Sequence, residues 1–331
     1  MDCDYSSHLL VYSAVHTYMV LFIGAFTNGV ALWSIATCKK TKTSMKFLLV
    51  PVFLSPLVNN LVCRPMEAEL LLGLLKCDFG RLPDRAKTAY FFVYVFLTYL
   101  ELMVIAAVSV FRAAAVWASN AYDLSKGLAA TVVVGICTYT FLIPTTALFV
   151  TSERRIQAVI LILNCVIPIL TTMACYLVMI MAVRRNRQRL NEVQSRSSLK
   201  IIDNATRAMI AVFVSNLVFG LPFCISQLMR RKISRMLLNF IYVIYNTHLM
   251  VDPLVFIFFN YSHRRRVCNR IRTGWTWATG VYRTKDEDRT KTDTGLDTEQ
   301  RTDSCEKSGS SSVEVRGYTP EHTSSQNELR V

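Results

Sequence analysis

Seven long apolar segments limit what this chain can fold into. They run approximately over Leu9–Ala36, Phe47–Leu75, Thr88–Ala118, Leu124–Phe149, Ile156–Val183, Ile201–Met229 and Leu237–Phe259. Each is long enough for a helix to cross the ~30 Å hydrocarbon core of a bilayer. A soluble chain of 331 residues is seldom 52% hydrophobic, so a membrane protein is the first expectation. The pattern predicts an all-α fold, a seven-transmembrane helix bundle.

The basic residues predict how such a bundle is oriented. Sixteen Lys and Arg lie on the side that holds the C-terminus, against eleven on the opposite side. The positive-inside rule then puts the N-terminus outside a plasma membrane and the C-terminus in the cytoplasm. It also explains much of the net charge of +14, so no nucleic-acid partner is predicted. We expect an extracellular N-terminus (1–8), a bundle (9–261), a short amphipathic helix (262–276) and a disordered tail (277–331).

Asp252 and Pro253 interrupt the seventh segment, and both are costly inside a membrane. The carboxylate loses its water, and the proline removes a backbone hydrogen bond and kinks the helix. Further polar residues and prolines follow a fixed order in earlier segments: Asn28, Arg112, Pro168, Tyr176 and Pro222. This order and spacing resemble those of the rhodopsin-like (class A) G-protein-coupled receptors, whose last helix carries Asn/Asp-Pro-x-x-Tyr. Phe256 replaces that tyrosine here.

The resemblance implies a divergent receptor that passes an extracellular signal to heterotrimeric G proteins. It assigns coupling and activation to the matching positions: Arg112, Tyr176, Pro222, Asp252, Pro253 and Phe256. Arg112 has a second interpretation, because an arginine that ends an apolar helix can extend to the membrane surface. Phe111 stands where the family has an acid next to this arginine, so we expect ligand-independent signalling.

A buried polar pocket is expected halfway through the bundle. Glu101 lies eleven residues before Arg112, which puts it on nearly the same helix face and about 16 Å deeper. The second segment lacks the aspartate with which the family binds sodium, and we infer that Glu101 supplies the carboxylate instead. The expected pocket residues are Asn28, Glu101, Asn216, His248 and Asp252. The alternative is a protonated Glu101 that is hydrogen-bonded between helices.

Basic residues near the outer ends of the helices favour an anionic ligand. They are Arg64, Arg230, Arg231, Lys232 and Arg235. Arginine suits carboxylate or phosphate groups, although these residues could equally meet lipid headgroups. The family's usual disulfide is missing because Lys87 takes the place of its first cysteine. Cys3 and Cys77 are the extracellular candidates for a substitute bridge.

The C-terminal part carries signals for modification and regulation. Cys268 follows the last segment among arginines and is a candidate for palmitoylation, which would add a membrane anchor. Ser308, Ser310–Ser312 and Thr323–Ser325 resemble sites for receptor kinases and arrestin. The seventh segment has no lysine that could hold retinal, so no cofactor is predicted.

Two other classes of protein remain as alternatives. One is a decoy with the receptor fold that takes up ligand without coupling to G proteins. The other, less favoured, is a seven-helix membrane enzyme. The candidate catalytic or metal-binding groups of the apolar segments are His16, His248, Glu101 and Asp252, and they show no repeated ligand spacing. We therefore predict no metal site and no enzymatic activity.

Overall fold

The computed structural model describes residues 7–39, 41–78, 80–117, 124–149, 154–190, 211, 214–215, 217–229 and 232–278. These residues are almost all helical and include no β-strand, which confirms the all-α prediction. The chain divides into two units, Met1–Trp275 and Thr276–Val331. Only Thr276–Ala278 of the second unit belong to the described residues, so the predicted disordered tail lies outside them.

The helices follow the apolar segments closely. Helix α1 consists of Ser7–Met19, a π-helical turn Val20–Gly24, and Ala25–Thr37. Helix α2 consists of Thr43–Val58, a π-helical turn Asn59–Cys63, and Arg64–Leu75. Helix α5 consists of Arg154–Leu161, a π-helical turn Ile162–Val166, and Ile167–Leu190. The others are α3 (Asp84–Trp117), α4 (Lys126–Phe149), α6 (Leu217–Leu228), α7 (Arg235–Phe259) and α8 (Tyr261–Ala278).

Six of these helices, α1 to α5 and α7, are long and apolar enough to cross a membrane. Within the described residues α6 is apolar but shorter. Much of the predicted span Ile201–Met229 lies outside the described residues, so a complete set of seven spans stays a prediction. Helix α8 begins at Tyr261, one residue before the predicted start of the amphipathic helix.

The second segment forms one helix although it contains three prolines. Pro51 and Pro56 lie inside the helix, and a π-helical turn follows at Asn59–Cys63. Such a turn accommodates an extra residue without ending the helix. This π turn faces that of α1, where a Cβ added to Gly24 would lie 2.5 Å from Asn60 Nδ2. A glycine is therefore needed for the two helices to approach this closely.

The polarity of the bundle is that of a membrane protein. Large apolar side chains point outwards, as with Phe22 at 70% and Phe26 at 71% exposure. Polar side chains are buried between the helices, among them Asn28, Asn60 and Glu101. Helix α3 contacts α2, α4 and α5, while α1 contacts α2 and α7. The polar groups therefore meet around α3 and α7, in the interior.

Candidate functional site

Glu101 of α3 and His248 of α7 form a buried acid–base pair. Glu101 Oε1 lies 3.4 Å from His248 Nε2, and both side chains are almost fully buried. The opposite ring nitrogen, Nδ1, is in contact with the Tyr245 carbonyl oxygen and donates its proton there. Nε2 therefore faces the carboxylate, and the pair connects α3 to α7.

Asp252 lies one helical turn below His248 and has a different partner. The hydroxyl of Ser215, two residues before α6, donates a hydrogen bond to Asp252 Oδ1. The buried Asp252 therefore connects α7 to Ser215. Sequence analysis proposed Asn216 for this pocket. Asn216 lies outside the described residues, whereas its neighbour Ser215 is the residue that reaches the carboxylate.

Asn28 connects α1 to α7 through a carbonyl group that Pro253 leaves free. A proline has no N–H to donate to the carbonyl four residues earlier, which here belongs to Leu249. Asn28 Nδ2 donates to that oxygen at 2.7 Å and to Gly24 O at 2.8 Å. Its own Oδ1 has no hydrogen-bond partner in the structure. The Asp-Pro pair and the asparagine thus form one structural unit.

These groups line a single small cavity. Asn28, Glu101, His248, Asp252 and Pro253 form its wall together with apolar residues of α2 and α3. The volume within the cavity that the centre of a water molecule can occupy is about 10 Å³, which is enough for about one water. Four of the five residues expected in the polar pocket therefore lie around one space.

Arg112 and Tyr176 come together at the other end of α3. The Tyr176 hydroxyl is hydrogen-bonded to Ser109 and interacts electrostatically with Arg112. Ser109 lies one turn before Arg112 and donates its own proton to Ile105 O at 2.8 Å. No carboxylate of the described residues forms an ion pair with Arg112, and its Nε is buried without a hydrogen-bond partner. The sequence resemblance named this arginine and this tyrosine from their positions alone.

Phe256 joins the end of α7 to the start of α8. Its ring packs against Phe53 of α2, with centroids 4.8 Å apart, and against His263, at 5.1 Å. His263 Nδ1 lies 2.6 Å from Ser34 Oγ of α1. Burial and the nearby Arg266 lower the pKa of His263 to about 4. The imidazole is therefore neutral at physiological pH, and α8 is attached to α1 by an uncharged hydrogen bond.

A second buried charge pair lies at the π turn of α2. The Arg64 guanidinium is 0% exposed and forms an ion pair with Glu67, one turn further along the helix. Arg64 also donates to Asn59 Oδ1 at 3.2 Å and lies 5.8 Å from the centre of the Tyr94 ring. Arg64 was expected to meet an anionic ligand. It already has a carboxylate partner, so an anionic ligand would have to replace Glu67.

The remaining predicted positions are distributed as follows. Pro222 is exposed on α6 and Lys232 is exposed between α6 and α7. Arg230 and Arg231 lie outside the described residues, as does the side chain of Arg235 at the start of α7. Cys77 is disulfide-bonded, while Cys3, its predicted partner, lies outside the described residues. Cys268 is exposed on α8 with a free thiol, as a palmitoylation site requires.

Sequence reasoning missed three of the residues that complete these clusters. Glu67 could have been found, because opposite charges three residues apart meet on one helix face. Ser215 and His263 gave no such signal, since each meets its partner only through the packing of distant helices. Among the described residues, no group of three or more His, Cys, Asp or Glu side chains is arranged to hold a metal ion.

Comparison with protein-family models and with curated protein sequences finds no match. What can be said about the class of this protein therefore rests on its own sequence and geometry.

Proposed function

We propose that this chain is a divergent rhodopsin-like G-protein-coupled receptor of the plasma membrane. In this proposal it has seven membrane spans, an external N-terminus, and a C-terminal tail that meets receptor kinases and arrestin. The observation that carries the proposal is the contact region of Arg112, Ser109 and Tyr176. In the family that the sequence resembles, the arginine of the third helix meets the tyrosine of the fifth in active states.

The same contact region supports signalling without a ligand. A neighbouring acid would hold the arginine in the inactive state, but Phe111 occupies that position. One charge-assisted contact is worth about 1–3 kcal/mol, so its absence raises the active population several-fold. The Tyr176–Ser109 hydrogen bond stabilises the arrangement in which α3 and α5 approach each other.

The eighth helix and its lipid anchor belong to the same proposal. Helix α8 carries exposed arginines, the free thiol of Cys268 and an exposed Ile271. Such a helix is suited to lie in the headgroup region of an anionic membrane, and acylation of Cys268 would strengthen its attachment.

The proposal is tested by measuring basal G-protein dissociation in cells that express the full chain without added ligand. We expect a basal signal that falls several-fold on Arg112→Ala at equal surface expression. Arg155→Ala, which removes an exposed arginine from the first turn of α5, serves as the matched control and should leave the signal unchanged. A wild-type signal equal to that of Arg112→Ala for every G-protein class would reject ligand-independent coupling. Ligand uptake that persists in that case would favour the decoy alternative.

A further inference from the structure

Two cationic side chains from different helices meet at the C-terminal end of α1. Lys46, in the first turn of α2, donates a hydrogen bond from Nζ to Ala36 O at 2.9 Å. Arg266 of α8 donates from a terminal guanidinium nitrogen to Thr37 Oγ1 at 3.2 Å. Ala36 and Thr37 are the last two residues of α1, and the Cα atoms of consecutive residues are about 3.8 Å apart. The ammonium and the guanidinium are therefore held close together although like charges repel.

No carboxylate among the described residues balances these two charges. Neither Lys46 nor Arg266 belongs to an ion pair there. The described acidic residues lie in the middle of the bundle or towards its opposite end: Glu67, Glu69, Asp78, Asp84, Glu101 and Asp252. Lys46 and Arg266 are each partly buried and attached to α1, so their charges are fixed in place. Two fixed positive charges without a counter-charge attract an anion.

Capping of α1 accounts for only part of this arrangement. The last carbonyl groups of a helix accept hydrogen bonds from Lys and Arg, and the helix dipole favours a cation there. The bonds to α1 use one donor of each side chain, whereas an ammonium has three N–H donors and a guanidinium has five. The donors that remain can bind an anion, and the planar guanidinium fits the oxygens of a phosphate group.

We propose that Lys46 and Arg266 bind the phosphomonoester headgroup of a membrane lipid at the junction of α1, α2 and α8. The site lies where the span of α1 ends and beside α8, which is the level of lipid headgroups. A phosphomonoester carries a charge of about −1.5 to −2 near pH ~7 and so balances both cations. The proposed function adds only that this end of the bundle faces the cytoplasm, so that the lipid belongs to the inner leaflet.

Exposed aromatic side chains beside the site favour a lipid over a free phosphate. Trp33 lies one turn before Thr37, on the same face of α1, and is 39% exposed. Phe47 follows Lys46 on α2 and is 48% exposed. Both rings lie on the membrane side of the two cations, where the acyl chains of a bound lipid would pack against them. A soluble inositol phosphate would gain nothing from these rings.

The proposal is tested by melting the full chain in nanodiscs of two compositions. Phosphatidylcholine is mixed with either phosphatidylserine or a phosphatidylinositol bisphosphate, matched for total headgroup charge. We expect the wild type to melt a few degrees higher with the bisphosphate lipid, because a bound ligand stabilises the folded state. Lys46→Gln and Arg266→Gln should each lose most of this difference. Glutamine keeps an N–H that can donate to α1 but carries no charge, and comparing each variant with itself in the two lipids cancels any general loss of stability.

A matched control separates a site from the general attraction of α8 to an anionic membrane. Arg272 is exposed six residues after Arg266 and lies on another face of α8, so Arg272→Gln should keep the lipid-dependent difference. The proposal is overturned if the wild type melts alike in both lipids, or if Arg272→Gln loses as much as Arg266→Gln. Inositol trisphosphate added to phosphatidylcholine nanodiscs should give a smaller shift, and a full shift would identify the ligand as a free phosphate instead of a lipid. None of these results depends on whether the protein couples to G proteins.

Discussion

Breaking the buried Arg64–Glu67 pair should destabilise the bundle in a way that depends on which partner is removed. Glu67→Gln leaves a fully buried guanidinium that cannot lose its proton at any accessible pH. Removal of one partner from a buried pair costs about 3–5 kcal/mol. We expect this cost to be the same at neutral and at mildly acidic pH, because the unpaired Arg64 guanidinium keeps its proton over this range.

Arg64→Gln leaves the Glu67 carboxylate buried without a partner, and this carboxylate can become neutral by binding a proton. Protonating a carboxylic acid that ordinarily titrates near pH ~4.3 costs about 1.4 kcal/mol per pH unit above that value. The cost is therefore about 4 kcal/mol at pH ~7 and about 1 kcal/mol at pH ~5. Arg64→Gln should thus recover most of its lost stability on acidification, relative to wild type at the same pH, whereas Glu67→Gln should not.

The assay is thermal unfolding in nanodiscs, followed by a dye that becomes fluorescent on reaction with newly exposed thiols. The buried cysteines Cys63, Cys165 and Cys224 report the loss of the core. For a domain of this size about 1 kcal/mol corresponds to 2–4 °C. The double variant Arg64→Gln/Glu67→Gln, which buries no charge, should melt higher than Glu67→Gln. Equal pH profiles for the two single variants, or a double variant less stable than both, would contradict the reasoning.

Three further predictions concern other parts of the bundle. Glu101→Gln should preserve the fold, and wild-type melting should respond more to pH than to sodium; strong sodium stabilisation that survives Glu101→Gln would contradict this. Because the pKa of His263 is lowered, its neutral imidazole contributes its full stabilisation of the fold above the ordinary pKa of about 6.5. About 1–2 kcal/mol of this contribution, after screening, is lost as the pH falls towards 4. His263→Asn should remove this loss, which melting curves at pH ~7 and ~5 would measure. Gly24→Ala should lower the melting temperature because its Cβ would clash with Asn60, whereas Gly29→Ala, with nothing within 4 Å, should be neutral or slightly stabilising.

Hydropathy was sufficient to predict most of the helices, because the length and composition of a span follow directly from the thickness of a bilayer. The ends of α7 agree with the prediction to within two residues, and α3 begins four residues early because Asp84 starts its first turn. The three π turns could not be predicted. A π turn is a compromise between helix geometry and the packing of neighbours, as with Gly24 against Asn60.

Partners within the site were harder to predict than its members. Helical periodicity placed Glu101 on the same face as Arg112, and the resemblance supplied Asn28 and Asp252. Sequence analysis put Glu101, His248 and Asp252 in one pocket without pairing them. The structure pairs Glu101 with His248, because the Nδ1 contact with the Tyr245 carbonyl turns Nε2 towards α3. Such a choice depends on one ring orientation, which no spacing rule contains.

The charges inside this bundle largely neutralise one another, and this bears on how the proposed receptor would be controlled. Glu67 is balanced by Arg64 and Glu101 by His248, so Asp252 is the one carboxylate at the cavity without a basic partner among the described residues. A cavity with room for about one water lacks the space for a hydrated sodium ion, which needs several oxygen ligands or waters around it. Asp252 accepts a hydrogen bond from Ser215 instead and needs only a proton to become neutral. If no cation holds the bundle in its inactive state, and no acid restrains Arg112 because Phe111 takes its place, then both family restraints on basal activity are absent. The hydrogen bond between Ser215 and Asp252 then becomes the remaining link to weaken, and Ser215→Ala should raise ligand-independent signalling above wild type. A fall in signal at equal surface expression would show that this hydrogen bond belongs to the active state.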